Sequence, residues 1–78
     1  MTKTPTPLDL RVGSAIRFWR AFDHRSQSQV AFHLHCERTA ISGWERGHNL
    51  PRLGAFLEIA EALRVSPYML ALTAEAFA

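Results

Sequence analysis

The 78-residue chain carries nine Lys and Arg against seven Asp and Glu, a formal charge of +2, and 47% of its residues are hydrophobic. Such a length supports one domain at most, near the lower limit for a core that folds without cross-links, and the ordinary apolar fraction argues against disorder. The lone Cys36 excludes an internal disulfide, no charged-then-apolar leader opens the chain, and no apolar run is long enough to span a bilayer. The expectation is a soluble cytoplasmic domain without membrane association. The charge is unevenly spread. Residues 1–52 hold eight of the basic residues against four acids, whereas residues 53–78 hold Arg64 against Glu58, Glu61 and Glu75. The first part suits a polyanion, and the second a neutral or protein partner.

Residues 1–5 read as a loose tail and residues 6–78 as the single folded domain. Thr6-Pro7-Leu8-Asp9 is a helix start, with Thr6 as N-cap, Pro7 in the first helical position and an acid three residues after the cap. Val12, Ala15, Ile16, Trp19 and Phe22 then recur at the spacing of a buried stripe, so the first helix is expected over Pro7 to Phe22. Ser26 to Gln29 forms a second capping box, and Val30, Ala31 and Leu34 supply the inner face of a short helix over Gln27 to His35. After a break at Cys36 and Glu37 comes a third helix, which the loop from Gly47 to Pro51 ends. Phe56, Leu57, Ile59, Ala60 and Leu63 mark the fourth. Ser66-Pro67 starts the fifth, which carries Met69, Leu70 and Leu72. No strand pattern, repeat or low-complexity segment interrupts this order, so the expected fold is a compact all-α domain of five helices.

The third helix is unusual. At about 100° per residue, Ala40, Ile41 and Trp44 fall on one side, while Arg38, Thr39, Ser42, Gly43 and Arg46 cover an arc of about 140° on the other. That outer arc is cationic and lacks large apolar groups, and its small residues would let another backbone come close. Two short helices joined by a tight turn, the second with such a face, describe a helix-turn-helix.

Over about Val12 to Leu70 the sequence resembles the Cro and phage-repressor type of helix-turn-helix, also called the XRE family. The residues that carry the likeness are Gly13 with Ile16-Arg17, Ser26-Gln27 with Val30-Ala31 and Leu34, and Ile41-Ser42 with Trp44-Glu45-Arg46-Gly47. Further on come Pro51, and Ile59-Ala60 with Ala62-Leu63 and Val65. The resemblance implies a lambda-repressor-like five-helix domain that binds double-stranded operator DNA, commonly as a homodimer, with the third helix in the major groove. It implies that Gln27 bonds a phosphate, that Arg38, Thr39 and Gly43 face base edges, and that Ser42 and Arg46 meet the DNA backbone. It also pairs Arg20 with Glu45 in a bridge between the first and third helices, the alternative being an ordinary surface pair.

Residue chemistry supports these roles. Arg38 can bond guanine O6 and N7, Thr39 can offer its methyl to thymine or its hydroxyl to a base, and Arg46 and Arg52 can hold phosphates. Arg52, after the loop proline, has minor-groove contact as a second reading. Glu37 stands where Ser or Thr would cap the third helix; it is either a fourth base reader, accepting from cytosine N4, or a solvated first-turn acid. His35 and Arg64 occupy positions where the family often has glycine, at a cost on the order of 1 kcal/mol each if the backbone there is left-handed.

Other readings are weaker. His33, His35 and Cys36, with His24 and His48, match no zinc spacing, so neither a metal nor a cofactor is expected. No phosphate loop, nucleophile elbow or carboxylate pair points to an enzyme. The rival is a protein-interaction or antitoxin-like module on the same fold, for which exposure of Phe18 and Phe32 would speak. Tyr68, Met69, Leu72 and Phe77 are the expected dimer interface. No effector domain is expected beyond the fifth helix.

Overall fold

Thr6 opens the first helix as the sequence requires: its hydroxyl accepts from the Asp9 N–H at 3.1 Å, and the Asp9 carboxylate accepts from the Thr6 N–H at 3.0 Å. Ser26 and Gln29 repeat this reciprocal arrangement at the second helix, and Ser66 caps the fifth through the Met69 N–H. In the computed structural model, which describes residues 4–77, the helices are α1 (Pro7–Phe22), α2 (Gln27–Leu34), α3 (Arg38–Glu45), α4 (Leu53–Ala62) and α5 (Pro67–Ala76). There is no strand among the described residues. Residues 1–3 of the expected tail, and residue 78 of the expected domain, lie outside the described residues; Thr4 and Pro5 carry no regular structure.

α1 packs on α3 and α5, α2 on α3 and α4, and α4 on α5. Every helix contributes to one core: Ile16 from α1, Val30 from α2, Ile41 from α3, Ile59 from α4 and Leu70 from α5 are all buried. Ala15, Ala31, Ala60 and Ala74 between them keep the helix axes close. Trp19 and Trp44 pack at the core margin, as their phase implies.

Phe22 departs from the expected stripe. It ends α1, is 70% exposed, and meets the Trp19 ring edge-on at 5.5 Å. On the helix wheel it sits beside Phe18 at the margin of the buried side, so its spacing mimics an inward position that the neighbouring helices do not cover.

α2 stops one residue earlier than expected because His35 is left-handed, at φ 57° and ψ 42°. The Cys36 N–H then reaches back to the Ala31 carbonyl at 3.0 Å, which closes the helix end. Arg64 does the same after α4, with Val65 N–H on Ala60 O at 3.0 Å. His24 is a third such residue, after α1, that the sequence did not mark.

Candidate nucleic-acid interface

The turn His35-Cys36-Glu37 sets α3 across α2 with its outward arc turned to solvent. Arg38, Thr39 and Arg46 are exposed, and Ser42 and Gly43 are partly so. Behind them Ile41 is fully buried and Trp44 packs on the core. Around Gly43 there is open space: a Cβ built there meets no atom within 4 Å. Among the described residues no acid pairs with Arg38, Arg46 or Arg52, so three cations stand on or beside this face without an intramolecular counter-charge.

α3 is fixed from behind at both ends. At its C-terminal end, Gly13 of α1 lies against backbone; a Cβ there would collide with the Trp44 carbonyl oxygen and come within 2.6 Å of the Glu45 oxygen. Beside this contact Arg20 binds Glu45 with both forks, Nε to Oε2 at 2.6 Å and Nη2 to Oε1 at 2.9 Å, and its Nη1 donates to the Arg25 carbonyl at 2.9 Å. The Glu45 side chain is only 4% exposed, so this is a desolvated, bidentate bridge and not a surface pair. The hydrogen bond to Glu45, reinforced by its charge and opposed by burial, raises the Arg20 pKa above its already high ordinary value.

Gln27, the first residue of α2, joins the two ends. Its Nε2 donates to Glu45 Oε1 at 3.1 Å, and its Oε1 accepts from Arg38 Nη1 at 3.1 Å. Sequence reasoning placed Gln27 toward phosphate and missed both bonds; the partners are 18 and 11 residues away, and nothing local in the sequence announces them. Arg25 was missed as well. Its carbonyl anchors Arg20, while its guanidinium binds Asp23 at 2.7 Å.

Glu37 is the N-cap of α3 by backbone geometry, but its side chain makes no capping hydrogen bond and is exposed beside Arg38. Arg52 is the exposed N-cap residue of α4. The four apolar residues expected at a dimer interface do not share one face. Tyr68, Met69 and Leu72 lie within about 100° of each other on the outside of α5, whereas Phe77 lies roughly opposite Tyr68 and packs on Phe18 of the same chain at 6.2 Å. Phe18 and Phe32 are both exposed, Phe32 at 83% on the outer surface of α2 among Arg25, Ser28, Gln29, His33 and His35. Cys36 is exposed in the turn; partial burial, followed by the charges of Glu37 and Glu58, pushes its thiol pKa up. Among the described residues no group of three His, Cys, Asp or Glu is placed to hold a metal ion, and no helix is long and apolar enough to cross a membrane.

A family model described as helix-turn-helix matches residues 23–70, which is well over half of the chain. The chain belongs to the helix-turn-helix family. Its branch is the XRE, Cro and phage-repressor type, and its fold and family are those of DNA-binding regulators. Among solved structures, this helix-turn-helix chain is similar to the restriction-modification controller protein C.AhdI from Aeromonas hydrophila, at 31% identity over 80% of this chain and 94% of that one, with a TM-score of 0.76. It has the fold of the clp gene regulator ClgR from C. glutamicum, at 22% identity over 94% of both chains and a TM-score of 0.85. It also has the fold of the restriction-modification controller C.Esp1396I, solved as a tetramer in complex with its natural 35 base-pair operator, at 24% identity over 90% and 92% and a TM-score of 0.80. Among curated proteins none matches the chain significantly.

Proposed function

We propose that this protein is a cytoplasmic transcriptional regulator that binds double-stranded operator DNA sequence-specifically, as a homodimer with one α3 in each of two major-groove half-sites. The observation that carries this reading is the outward arc of α3: cationic, small in profile, open above Gly43, and held from behind by directional contacts. Arg38 and Thr39 supply base-edge contacts, with Glu37 beside them for cytosine N4. Gly43 removes bulk where the groove floor comes close. Ser42, Arg46 and Arg52 bond phosphates and fix the register, and Gln27 reaches a phosphate with its second amide hydrogen. Tyr68, Met69 and Leu72 form the two-fold contact and set the two α3 helices about 34 Å apart, one turn of DNA. Repression is the expected outcome, because a domain docked over a promoter excludes other proteins from it. The reading assigns the chain no catalytic step and no cofactor.

The test is selection of purified protein on random duplex DNA at moderate salt, followed by binding of the winning sequence to wild type and Arg38→Ala. An enriched two-fold site whose preference relaxes at one base pair per half-site, by about 1–3 kcal/mol, supports direct reading by α3. No enrichment, with binding that simply fades as salt rises, refutes it. One observation favours a second reading, a protein-binding or antitoxin-like module. Among the described residues Phe32 is the most exposed large apolar side chain, and it sits on α2 and not on α3. Binding of a protein partner that Phe32→Ser abolishes, in a chain with no DNA preference, would establish it.

A further inference from the structure

Residues 19 and 20 of α1 reach two different helices. Arg20 bridges to Glu45 at the end of α3, while the Trp19 indole N–H donates to the Thr73 hydroxyl of α5 at 2.8 Å. The indole nitrogen only donates, so the Thr73 oxygen must accept, and its single hydrogen goes to the Met69 carbonyl at 2.8 Å. Phe18 and Phe22 meet the indole edge-on at 5.2 and 5.5 Å and hold its plane, which gives the exposed Phe22 ring a task within the chain. The buried side chains of α5, Leu70 and Ala74, are apolar and fix depth more closely than roll. The Arg11 bond to the Ala74 carbonyl is longer, at 3.3 Å, and its ion pair with Glu75 is exposed. Among the described residues the Trp19–Thr73 bond is the shortest directional contact between α1 and α5.

We propose that Trp19 and Thr73 are specificity-determining positioning residues for the spacing of the two DNA half-sites: their hydrogen bond fixes the roll of α5 on α1, and with it the direction of the two-fold contact relative to α3. The inference rests on the reading of a homodimer joined through the outer face of α5, and adds what sets its span. On the wheel Leu70, Thr73 and Ala74 fall within about 100°, on the side away from Tyr68 and Leu72, so turning α5 on α1 turns the two-fold face with it. α1 meanwhile keeps α3 in place through Gly13 and Arg20. Over the ~17 Å from the two-fold axis to each α3, half of the ~34 Å turn of DNA, a roll of about 5° moves the helix by ~1.5 Å. Two-fold symmetry doubles this to ~3 Å, close to the ~3.4 Å rise of one base pair. A rolling α5 therefore tolerates operators one base pair longer or shorter, and a fixed one rejects them.

The alternative role for the bond is simple attachment of α5, and the two roles differ in whether spacing preference changes. The full chain, as wild type, Thr73→Val, Thr73→Ser and Trp19→Phe, is titrated by fluorescence anisotropy against the selected operator. The same titration is run on duplexes with one central base pair inserted or removed, and on duplexes with one base pair changed inside a half-site. Sedimentation, circular dichroism and melting accompany each variant. Thr73→Val keeps the branched shape and removes the hydroxyl, Thr73→Ser keeps the hydroxyl, and Trp19→Phe removes the N–H from the other side. The expected result is that Thr73→Val remains a folded dimer with unchanged base preference inside the half-site. Its discrimination against the altered spacings falls about fivefold, the fold-change that one ordinary hydrogen bond is worth. Trp19→Phe falls alike, and Thr73→Ser stays at the wild-type value.

A folded Thr73→Val dimer that loses affinity equally at every spacing, or keeps wild-type discrimination, overturns the proposal and leaves the bond as attachment. Relaxation in Thr73→Ser equal to that in Thr73→Val overturns it as well, because the methyl and not the hydroxyl then sets the roll. Should Thr73→Val not fold, Trp19→Phe decides by the same measure. A wild type that binds as a monomer, or reads half-sites without spacing preference, removes the dimer reading and the proposal together. A wild-type dimer whose sharp spacing preference survives Thr73→Val removes the proposal alone.

Discussion

Gly43→Ala separates what α3 needs for folding from what it needs for binding. The substitution adds one methyl group in the middle of a helix, at a point where a Cβ meets no atom within 4 Å. Within the protein it therefore removes a flexible residue without a clash, which stabilises the folded state by about 0.5–1 kcal/mol. For a domain of this size that raises the melting temperature by about 4–8 °C per kcal/mol. At the groove the same methyl occupies the gap that lets the helix approach, one turn from Thr39. Overpacking by a methyl costs about 1–3 kcal/mol, which is a loss of roughly 5- to 150-fold in Kd. Thermal melting by circular dichroism and fluorescence anisotropy with the selected duplex measure the two effects on one sample. The expected outcome is a more stable protein that binds less well. A lower melting temperature would mean that Gly43 has a structural task inside the chain. An unchanged Kd would mean that this face stays clear of DNA, and the interface on α3 would be refuted.

The same substitution at Gly13 should do the reverse. Its Cβ runs into the Trp44 and Glu45 carbonyls, so Gly13→Ala is expected to cost about 1–3 kcal/mol by urea denaturation, and an unchanged midpoint would contradict the close contact. Arg20→Met strands a Glu45 carboxylate that is 4% exposed, at a cost of about 3–5 kcal/mol; a loss under about 1 kcal/mol would show the pair to behave as a surface one. The raised Cys36 pKa means that folding favours the protonated thiol, a contribution present below the unfolded pKa and lost as pH rises through the folded one. Alkylation by iodoacetamide should therefore reach half its maximal rate at a higher pH in the native protein than in urea, and equal midpoints would remove the shift. Leu72→Glu should abolish self-association in sedimentation while leaving secondary structure intact, and a dimer of unchanged mass would take the outer face of α5 out of the interface.

What the sequence made legible was whatever is decided within a turn or two of chain. The α1 boundaries followed from a capping box at Thr6 and a periodic stripe, and both are local. The left-handed residues His35 and Arg64 were marked because the resemblance supplies glycine there. His24, in a stretch with neither glycine nor asparagine, carried no such mark. Phe22 misled because spacing reports which side of a helix a residue is on, not whether another element covers that side. Phe77, expected with Tyr68, Met69 and Leu72 at a dimer interface, lies on the Phe18 side once the helix is wound, a placement that residue type alone does not reveal. In the candidate interface, residue types and their arc were readable. The bond from Gln27 to Arg38 was not, since its partners meet only after the turn has folded α3 across α2.

The way α3 is held also explains why its outer face can be so bare. An eight-residue helix is too short to persist alone, so its place is set by what it touches. Ile41 is its one fully buried side chain, with Trp44 packed beside it at the core margin, and non-directional apolar contact of this kind fixes depth more closely than orientation. Roll and tilt are fixed by contacts with direction: the Gly13 backbone against the Trp44 and Glu45 carbonyls, the two-bond Arg20–Glu45 bridge, and the Gln27 amide strung between Glu45 and Arg38. Each of these acts on the inner side or at an end of the helix. Apart from the bond to Arg38 at the first position, none requires a large residue on the outward arc, and that arc is left to arginines, hydroxyls and a glycine, the groups a close fit to a polyanionic groove needs.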